Sequence, residues 1–379
     1  VSIREADRPI IQIGPLPPPY GGVAVHIQRL AATLADNGLR VTVFAQPGCA
    51  AIPGVEVVHL EDFTWRGWLR SGGLRRHPRV VHCHEGFEWS PALLWTVLLG
   101  VRVVVTVHSE TTMRGLTALP WRHRVASRMM LACPRVRWIA VSARIRDGLV
   151  REGVRADRVV VAPAYLPISE GGYDPALPAG LAAFAEGHHP LLVAYGWYVS
   201  VMPDGSDLYG FDLAIEALQR LQATHARCGL VLLIPGGEPA GRVGALRRDI
   251  EERGLGHSAV VWTEALADPT PLWSAADVYL RPSRSDGDAV SVREVLALGV
   301  AVVASDCCDR PEAASLFESG DAEALTLAVQ EALSAPGTAP RIDSSAVDAL
   351  RVIAESYGLR GGVFVNAPVP DRTEPRGGR

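Results

Sequence analysis

The sequence predicts an α/β protein built from two Rossmann-like domains that face each other across a cleft. Three observations predict it. Short apolar runs of strand length alternate with longer segments of helical period. The alternation runs to residue 162, breaks over a Pro-, Gly- and Ala-rich stretch at Pro163–His189, and restarts at Leu191. The chain has 379 residues, 48% of them apolar, which is too much for one ordinary core and suits two domains of roughly 150–200 residues.

In the first half the strand-like runs are Ile10–Ile13, Val41–Phe44, Val55–His59, Val80–His84, Val101–Val107, Trp138–Val141 and Val159–Ala162. Helical periods lie between them at Val23–Asp36, Glu88–Leu99 and Ala143–Glu152. Strands that alternate with helices make a mostly parallel sheet covered on both faces. In the second half the runs are Leu191–Tyr195, Leu230–Ile234, Ala259–Trp262, Val278–Leu280 and Ala301–Ser305. Its helical periods are Phe211–Thr224, Arg242–Gly254, Val290–Leu298 and Ala322–Leu333. The domains are therefore set at residues 1–167 and 187–340. A last helical pattern, Ala346–Tyr357 within 341–358, is expected to cross back to the N-terminal domain. The segment 362–379, with few apolar residues, cannot bury a core and is expected to be disordered.

Net charge is −4, which suggests neither a nucleic-acid coat nor an acidic tail. All 37 basic side chains are arginines, as in proteins of high-GC bacteria. Lysine chemistry is thereby excluded, whether Schiff base, pyridoxal anchor or phosphate-loop lysine. A bound phosphate has to be met by arginine, backbone N–H groups or a metal ion. The six cysteines show no zinc spacing, and the expectation is a protein without a secretory signal, with reduced thiols in the cytoplasm. The longest apolar stretch, Ala92–Val107, is broken by Gly100 and Arg102 and reads as helix, turn and strand rather than a membrane span.

Three segments carry candidate chemistry. Gly21 and Gly22 follow the first strand and open the first long helix. That place suits close backbone approach and anion binding at free N–H groups, although a plain strand-to-helix turn has the same residues. The segment is not GxGxxG, which counts against a dinucleotide dehydrogenase. His108 ends the run Val103–Val107, where ligand-contacting residues collect in open α/β sheets. It reads as a donor to a sugar hydroxyl or as a capped structural histidine. His82 and His84 share one strand face, as a metal pair does; with no third ligand evident, one-sided burial explains them more simply. The third segment is the most informative: Leu280-Arg281-Pro-Ser283-Arg284-Ser-Asp286-Gly-Asp288-Ala289-Val290-Ser291-Val-Arg293-Glu294. A strand ends, a charged loop follows, and a helix begins near Ala289 with open N–H groups toward the loop.

The order strand, Pro-Ser, acid, seven residues, Glu, then Leu-Ala-Leu-Gly-Val-Ala-Val-Val-Ala-Ser resembles the signature of family-4 retaining glycosyltransferases (glycosyl transferases group 1). The Pro-Tyr20-Gly-Gly loop, the Val-Val-His-Cys-His and Thr-Val-His108-Ser strands, the Ala-Val-Ser142 strand, the Gly210-Phe211-Asp212 helix and the Leu233-Ile-Pro-Gly236-Gly237 turn match in the same order. The resemblance spans about residues 8–358. It implies the GT-B fold, with an N-terminal acceptor domain, a C-terminal sugar-nucleotide domain and the donor between them. It further implies that Asp286 contacts the donor sugar and Glu294 the nucleotide ribose. The amides of Ala289, Val290 and Ser291, with Gly21, Gly22 and Gly196, would hold diphosphate or sugar, and His108 would lie beside the reacting carbon. No enzyme nucleophile is implied; the leaving phosphate takes the acceptor proton on the same face.

Two departures stand out. Asp286 replaces the usual Glu and is one methylene shorter. The loop Gly196–Gly210, where the family carries Arg and Lys, holds no cation, and between Arg158 and Arg220 the basic residues are two histidines. Arg281, Arg284, Arg293 and Arg310 are the available substitutes, with Arg284 the expected one, because a guanidinium grips phosphate oxygens in a fork. Asp286-Gly-Asp288 also spells the metal-binding Asp-x-Asp of the other glycosyltransferase fold, a coincidence given the double-Rossmann layout.

The expectation is a cytoplasmic, retaining glycosyltransferase with no cofactor and no essential metal. It would move a hexose or N-acetylhexosamine from a nucleotide diphosphate, most simply UDP, to a hydroxyl acceptor in surface-glycan or secondary-metabolite synthesis. The alternatives are a catalytically silent sugar-nucleotide or glycan binder and a GT-B sugar-nucleotide epimerase. Nucleic acid is not an expected partner. The arginines at 114–137, interleaved with Trp121, Met129, Met130 and Leu131, suggest peripheral contact with a membrane or lipid-linked acceptor, against a plain solvated face.

Overall fold

The computed structural model describes residues 8–18, 21–84, 86–109, 118–164, 166, 176–236, 241–266, 268–287, 289–334 and 344–359, the side chains of the last segment from 348 onward. Tyr20, Gly237, Asp288, the linker residues 167–175 and the 362–379 tail of the sequence analysis lie outside them.

Two parallel sheets form. The first contains β1 (Ile10–Ile13), β2 (Val41–Ala45), β3 (Glu56–His59), β4 (Val80–Cys83), β5 (Arg102–Val107), β6 (Val136–Ala140) and β7 (Val159–Val161), in the order β3-β2-β1-β4-β5-β6-β7. The second contains β8 (Leu191–Tyr195), β9 (Gly229–Leu233), β10 (Ala259–Trp262), β11 (Val278–Arg281), β12 (Ala301–Ser305) and β13 (Ser315–Phe317), in the order β10-β9-β8-β11-β12-β13. The helices are α1 (Gly22–Asp36), α2 (Trp65–Arg70), α3 (Ser90–Leu98), α4 (Trp121–Ala132), α5 (Ala143–Arg151), α6 (Ala179–Gly187), α7 (Phe211–Leu221), α8 (Arg242–Glu252), α9 (Thr270–Ala275), α10 (Val290–Ala297), α11 (Ala322–Ser334) and α12 (Ser344–Tyr357).

Central strands β1, β2, β4 and β9 are buried at every position, as strands covered by helices on both faces must be. That is why they read as unbroken apolar runs. In each sheet the strand order reverses once, between β1 and β4 and between β8 and β11. Ligands bind at such switch points, outside the carboxyl ends of the strands. The loops after β1, β4 and β5 therefore face the ligand side in one domain, and those after β8 and β11 in the other.

The structure adds α6 inside the stretch where the sequence rhythm stops, because Ala179–Gly187 is too rich in alanine to show a polar face. It also adds β13, three residues long with one buried, too short for periodicity to register. The last helix, α12, packs on the first domain: Leu350, Ile353 and Tyr357 join Ile10, Val80 and Val104 in one core. His82 lies between Tyr357 and Thr106, its Nδ1 2.6 Å from the phenol oxygen and its Nε2 2.7 Å from Thr106 Oγ1. His82 is thus a fully partnered core histidine.

Candidate active site

A cavity of about 200 Å³ lies between the domains, lined by Gly21, Gly22, Val25 and Arg29 from the first and by Tyr195, Trp197, Tyr209, Arg281, Asp286, Ala289, Val290, Ser291 and Glu294 from the second. Leu233, Pro235, Leu266, Pro269 and Trp273 close its apolar side. Gly21, Gly22, Asp286, Ala289, Val290, Ser291 and Glu294, all expected at the site from sequence, meet here. His108, Gly196 and Arg284 do not line it.

Two helix N-termini point into this cavity. Gly21 is the N-cap of α1 and Ala289 that of α10, and neither has a side-chain cap. Among the described residues no side chain caps either helix, and the two dipoles place partial positive charge at the same spot. The two ends are close: a Cβ on Gly22 would stand 3.6 Å from Val290 Cγ2. Ser291 accepts a hydrogen bond of 2.7 Å from the Tyr279 phenol, which fixes the first turn of α10. Glu294 follows one turn later, and its buried carboxylate forms an ion pair with Arg29 of α1. That pair bridges the two domains.

The second charged group is a buried triad. Asp286 Oδ2 accepts from Arg281 Nε at 2.8 Å and Arg310 Nη1 at 2.9 Å. Its Oδ1 accepts from Arg281 Nη2 at 3.1 Å and from the Gly287 amide at 2.9 Å. Burial pushes this carboxyl upward, but Arg281 and then Arg310 outweigh it and hold the group well below the ordinary carboxylate range. One carboxylate between two guanidinium groups leaves a net positive charge in the cleft wall. Arg281 also donates to the Tyr195 carbonyl at 2.8 Å, so among the described residues three of its five N–H groups are spoken for. The short Asp286 side chain, with four donors around it, anchors Arg281 rather than standing open to a ligand.

Arg284 is the correction. Its Nη1 and Nη2 reach Asp212 at 2.8 and 2.7 Å, and Nη1 also reaches the Asp207 carbonyl at 2.7 Å. The fork is spent on tying the β11 loop to the start of α7, away from the cavity. Arg281, not Arg284, is the C-domain cation that lines the cleft. Its guanidinium lies 5.1 Å from the Tyr209 ring centroid, so the charge missing from the Gly196–Gly210 loop is laid over that loop from β11. The loop itself is held by Asp207, which accepts from the Tyr209 and Phe211 amides at 2.9 and 2.8 Å. Burial raises the Asp207 carboxyl to about 6 against these two amide bonds. Gly210 has φ +71°, and a Cβ there would meet the Pro282 carbonyl, so glycine is required where the two loops cross. Gly196 donates to the Leu233 carbonyl at 3.2 Å, and a Cβ would strike Tyr209 and Phe211. It lets Tyr195 and Trp197 flank the cavity.

His108 stands at the other end of Asp286, where its carbonyl lies 3.5 Å from the Cβ position of Gly287. Its Nε2 is 3.3 Å from His84 Nδ1, and its ring lies 5.2 Å from that of His26. Burial lowers His26, His84 and His108 below the usual histidine range, His26 to about 4, so all three rings are neutral near pH 7. The sequence reading found no third imidazole beside His82 and His84. His26 and His108 supply it, from α1 and from the end of β5, while His82 turns to Tyr357. Arg29 was missed as well. No spacing rule marks a helix residue that meets its partner 265 positions later in the chain.

The comparisons agree with this architecture. Residues 20–164 match the family described as Glycosyltransferase Family 4, and residues 197–335 match Glycosyl transferases group 1. No curated protein sequence matched the chain. Among solved structures, a sucrose-phosphate synthase from Thermosynechococcus elongatus aligns with TM-score 0.64 at 17% identity, covering 93% of this chain and 96% of the other. HepE from Anabaena, in complex with UDP-glucose, aligns with TM-score 0.62 at 15% identity over 92% and 95%. WaaG, a glycosyltransferase involved in lipopolysaccharide biosynthesis, aligns with TM-score 0.60 at 16% identity over 93% and 96%. Two parallel Rossmann-like sheets, a charged cleft at their switch points and a family match over both halves identify the chain as a GT-B glycosyltransferase of the family-4, group 1 type.

Proposed function

We propose that this glycosyltransferase moves a hexose or N-acetylhexosamine from a UDP-sugar to a hydroxyl acceptor, with retention at the anomeric carbon and no required metal. The observation that carries the reading is the convergence of two uncapped helix N-termini, Arg281 and Glu294 on one cavity. The diphosphate binds the amides of Gly22, Val290 and Ser291 and the free N–H groups of Arg281, which take the place of a metal ion. The ribose hydroxyls take Glu294, and Arg29 yields it. The base lies on the apolar wall near Trp197, Pro235 and Leu266. The sugar points toward His108, which donates to a hydroxyl beside the reacting carbon. HepE was solved with UDP-glucose, which supports a donor of this class.

The test is a panel of sugar nucleotides in the presence of a chelator, following release of the nucleotide diphosphate, with Glu294→Ala alongside. Slow hydrolysis of one donor, lost in the variant, is expected. Thermal stabilisation by a donor without release in any acceptor mixture would mean a silent binder. Neither release nor stabilisation would overturn the site.

We further propose that the protein works at the cytoplasmic membrane face. No described helix is long and apolar enough to cross a membrane. The packed helices α3 and α4 instead expose Trp95, Leu98, Leu99, Trp121, Val125 and Met129, each at least 50% accessible, beside exposed Arg122, Arg124 and Arg128. Apolar anchors rimmed by arginines suit an anionic bilayer. Co-sedimentation with phosphatidylglycerol vesicles should exceed that with phosphatidylcholine. Each of the three arginines replaced by Gln should cost about fivefold, at about 1 kcal/mol per surface charge. Equal binding to both vesicles, or to neither, removes the docking.

A further inference from the structure

Three imidazoles from three separate elements meet at the carboxyl end of the first sheet. His26 comes from the first turns of α1, His84 from the residue after β4 and His108 from the residue after β5. One nitrogen of each lies within 4.8 Å of the other two. His26 and His84 are 2% and 5% exposed, and His108 is half-buried.

The hydrogen bond to a carbonyl fixes the lone pair of His26, and the contact between the other two rings is met by either of two tautomers. His26 Nδ1 is 2.7 Å from the Ala164 carbonyl. A carbonyl only accepts, so the proton is on Nδ1 and the lone pair on Nε2. That Nε2 is buried and has no partner among the described residues. The single contact between His84 Nδ1 and His108 Nε2, at 3.3 Å, holds one proton between two nitrogens, and His84 Nε2 is also buried with no partner among the described residues. His82, on the same strand, has both nitrogens satisfied by Tyr357 and Thr106. Among the histidines of this sheet end the unmet nitrogens are therefore those of the trio, while Gln12, in register with His82 on β1, is a further buried polar side chain without a partner among the described residues. An unsatisfied buried polar group costs about 1–3 kcal/mol, and two of them in one cluster of like chemistry mark a place built to take a further group.

An organic ligand with donors at both nitrogens is a poor fit between rings whose centroids are 5.2 to 5.5 Å apart. A metal ion fits better. Neutral imidazole is the commonest ligand for borderline divalent ions, and three histidines with one open position form a known type of coordination set. Zn–N bonds of about 2.0–2.1 Å place tetrahedral ligand nitrogens roughly 3.3 Å apart. The rings thus have to close in by about 1.5 Å at most, a small side-chain rotation. The Ala164 carbonyl orients His26 in the manner of an outer-shell partner.

We propose that His26, His84 and His108 form a binding site for a divalent first-row transition-metal ion of the zinc type, with one coordination position left for water. None of the three histidines lines the donor cavity, the site meets the proposed sugar position only through His108, and the ion is not needed for transfer. On the reading that places His108 beside the reacting carbon, an occupying ion removes that residue from the sugar and acts as a brake.

Co²⁺ added to the full chain tests binding without reference to transfer. Visible d–d absorption should saturate at one equivalent, without a thiolate charge-transfer band, and Zn²⁺ should abolish it. His26→Gln and His84→Gln should each weaken binding roughly hundredfold or more, since even outer-shell changes cost ten- to hundredfold. Circular dichroism confirms that each variant is folded, and Zn²⁺ should raise the melting midpoint of the wild type but of neither variant. If a variant does not fold, zinc-edge absorption of the wild-type protein decides, with three imidazoles and no sulfur expected. The proposal is overturned by absence of a d–d band, by unchanged affinity in a folded variant, or by a sulfur ligand. Sulfur would point instead to Cys49, which is 3.5 Å from His59, or to the adjacent Cys307 and Cys308.

Discussion

Glu294→Gln should lower kcat/KM for the donor by roughly 10²-fold or more, chiefly through KM. Glu294 is the buried acceptor on the cleft wall one turn into α10, and its partner in the structure is Arg29 of the other domain. A hydrogen bond to a charged group contributes about 1.5–3 kcal/mol, and both ribose hydroxyls would lose that acceptor at once. The glutamine keeps the volume but removes the charge, so it also leaves Arg29 without its counter-ion. A loss of stability of about 1–3 kcal/mol accompanies the kinetic change. Urea unfolding measures the second effect, and initial rates over a range of donor concentrations measure the first. A variant with normal donor KM would remove the ribose from Glu294 and with it the proposed orientation of the nucleotide.

Arg281→Gln should have an effect of similar size for a different reason. Among the described residues it takes away the one C-domain guanidinium that lines the cavity, and donor KM should rise about hundredfold, the equivalent of a charge-assisted pair of about 3 kcal/mol. It also leaves Asp286 with Arg310 alone. Breaking a buried pair by removing one partner costs about 3–5 kcal/mol, because the remaining charge is still desolvated. The pH dependence follows from the sign of the Asp286 shift. Its carboxyl is depressed in the folded state, so the stabilisation is complete above the unfolded value of about 3.9 and fades as pH falls below it toward the folded value. The destabilisation measured for Arg281→Gln should therefore shrink in acid. Arg284→Met offers the contrast. Its partner Asp212 is 45% exposed, the pair is worth about 1 kcal/mol or less, and donor KM should change under threefold. If Arg284→Met raised KM as far as Arg281→Gln, the assignment of the cation would be reversed.

Much of the fold was legible in the sequence because its signals are local. A strand buried on both faces has to be apolar at consecutive positions, so Ile10–Ile13, Leu191–Tyr195 and Ala301–Ser305 were located to the residue, as was the edge strand Ala259–Trp262 from its apolar run. The long helices α1, α7 and α12 show a 3.6 period because one side of each faces the core. Where burial was brief or the composition uniform, as in β13 and α6, no period formed and the elements went unseen. The segment from Leu280 to Glu294 stood out through its resemblance to the family signature, in which a strand, a loop and a helix follow one another within fifteen residues.

The charges were another matter. Sequence alone established that the chain has no lysine and that the Gly196–Gly210 loop has no arginine, and it offered four arginines as candidates for the diphosphate. Which of the four lines the cavity was decided by three-dimensional packing. Arg284 and Arg281 are three residues apart, yet one turns to Asp212 on α7 and the other lies over Tyr209 in the cleft. The Arg29–Glu294 bridge and the meeting of His26, His84 and His108 have the same origin. A guanidinium or imidazole finds its partner by distance and desolvation in space, and those depend on how separately folded layers come to rest against each other. Local sequence determines each layer; the contacts between layers determine the site.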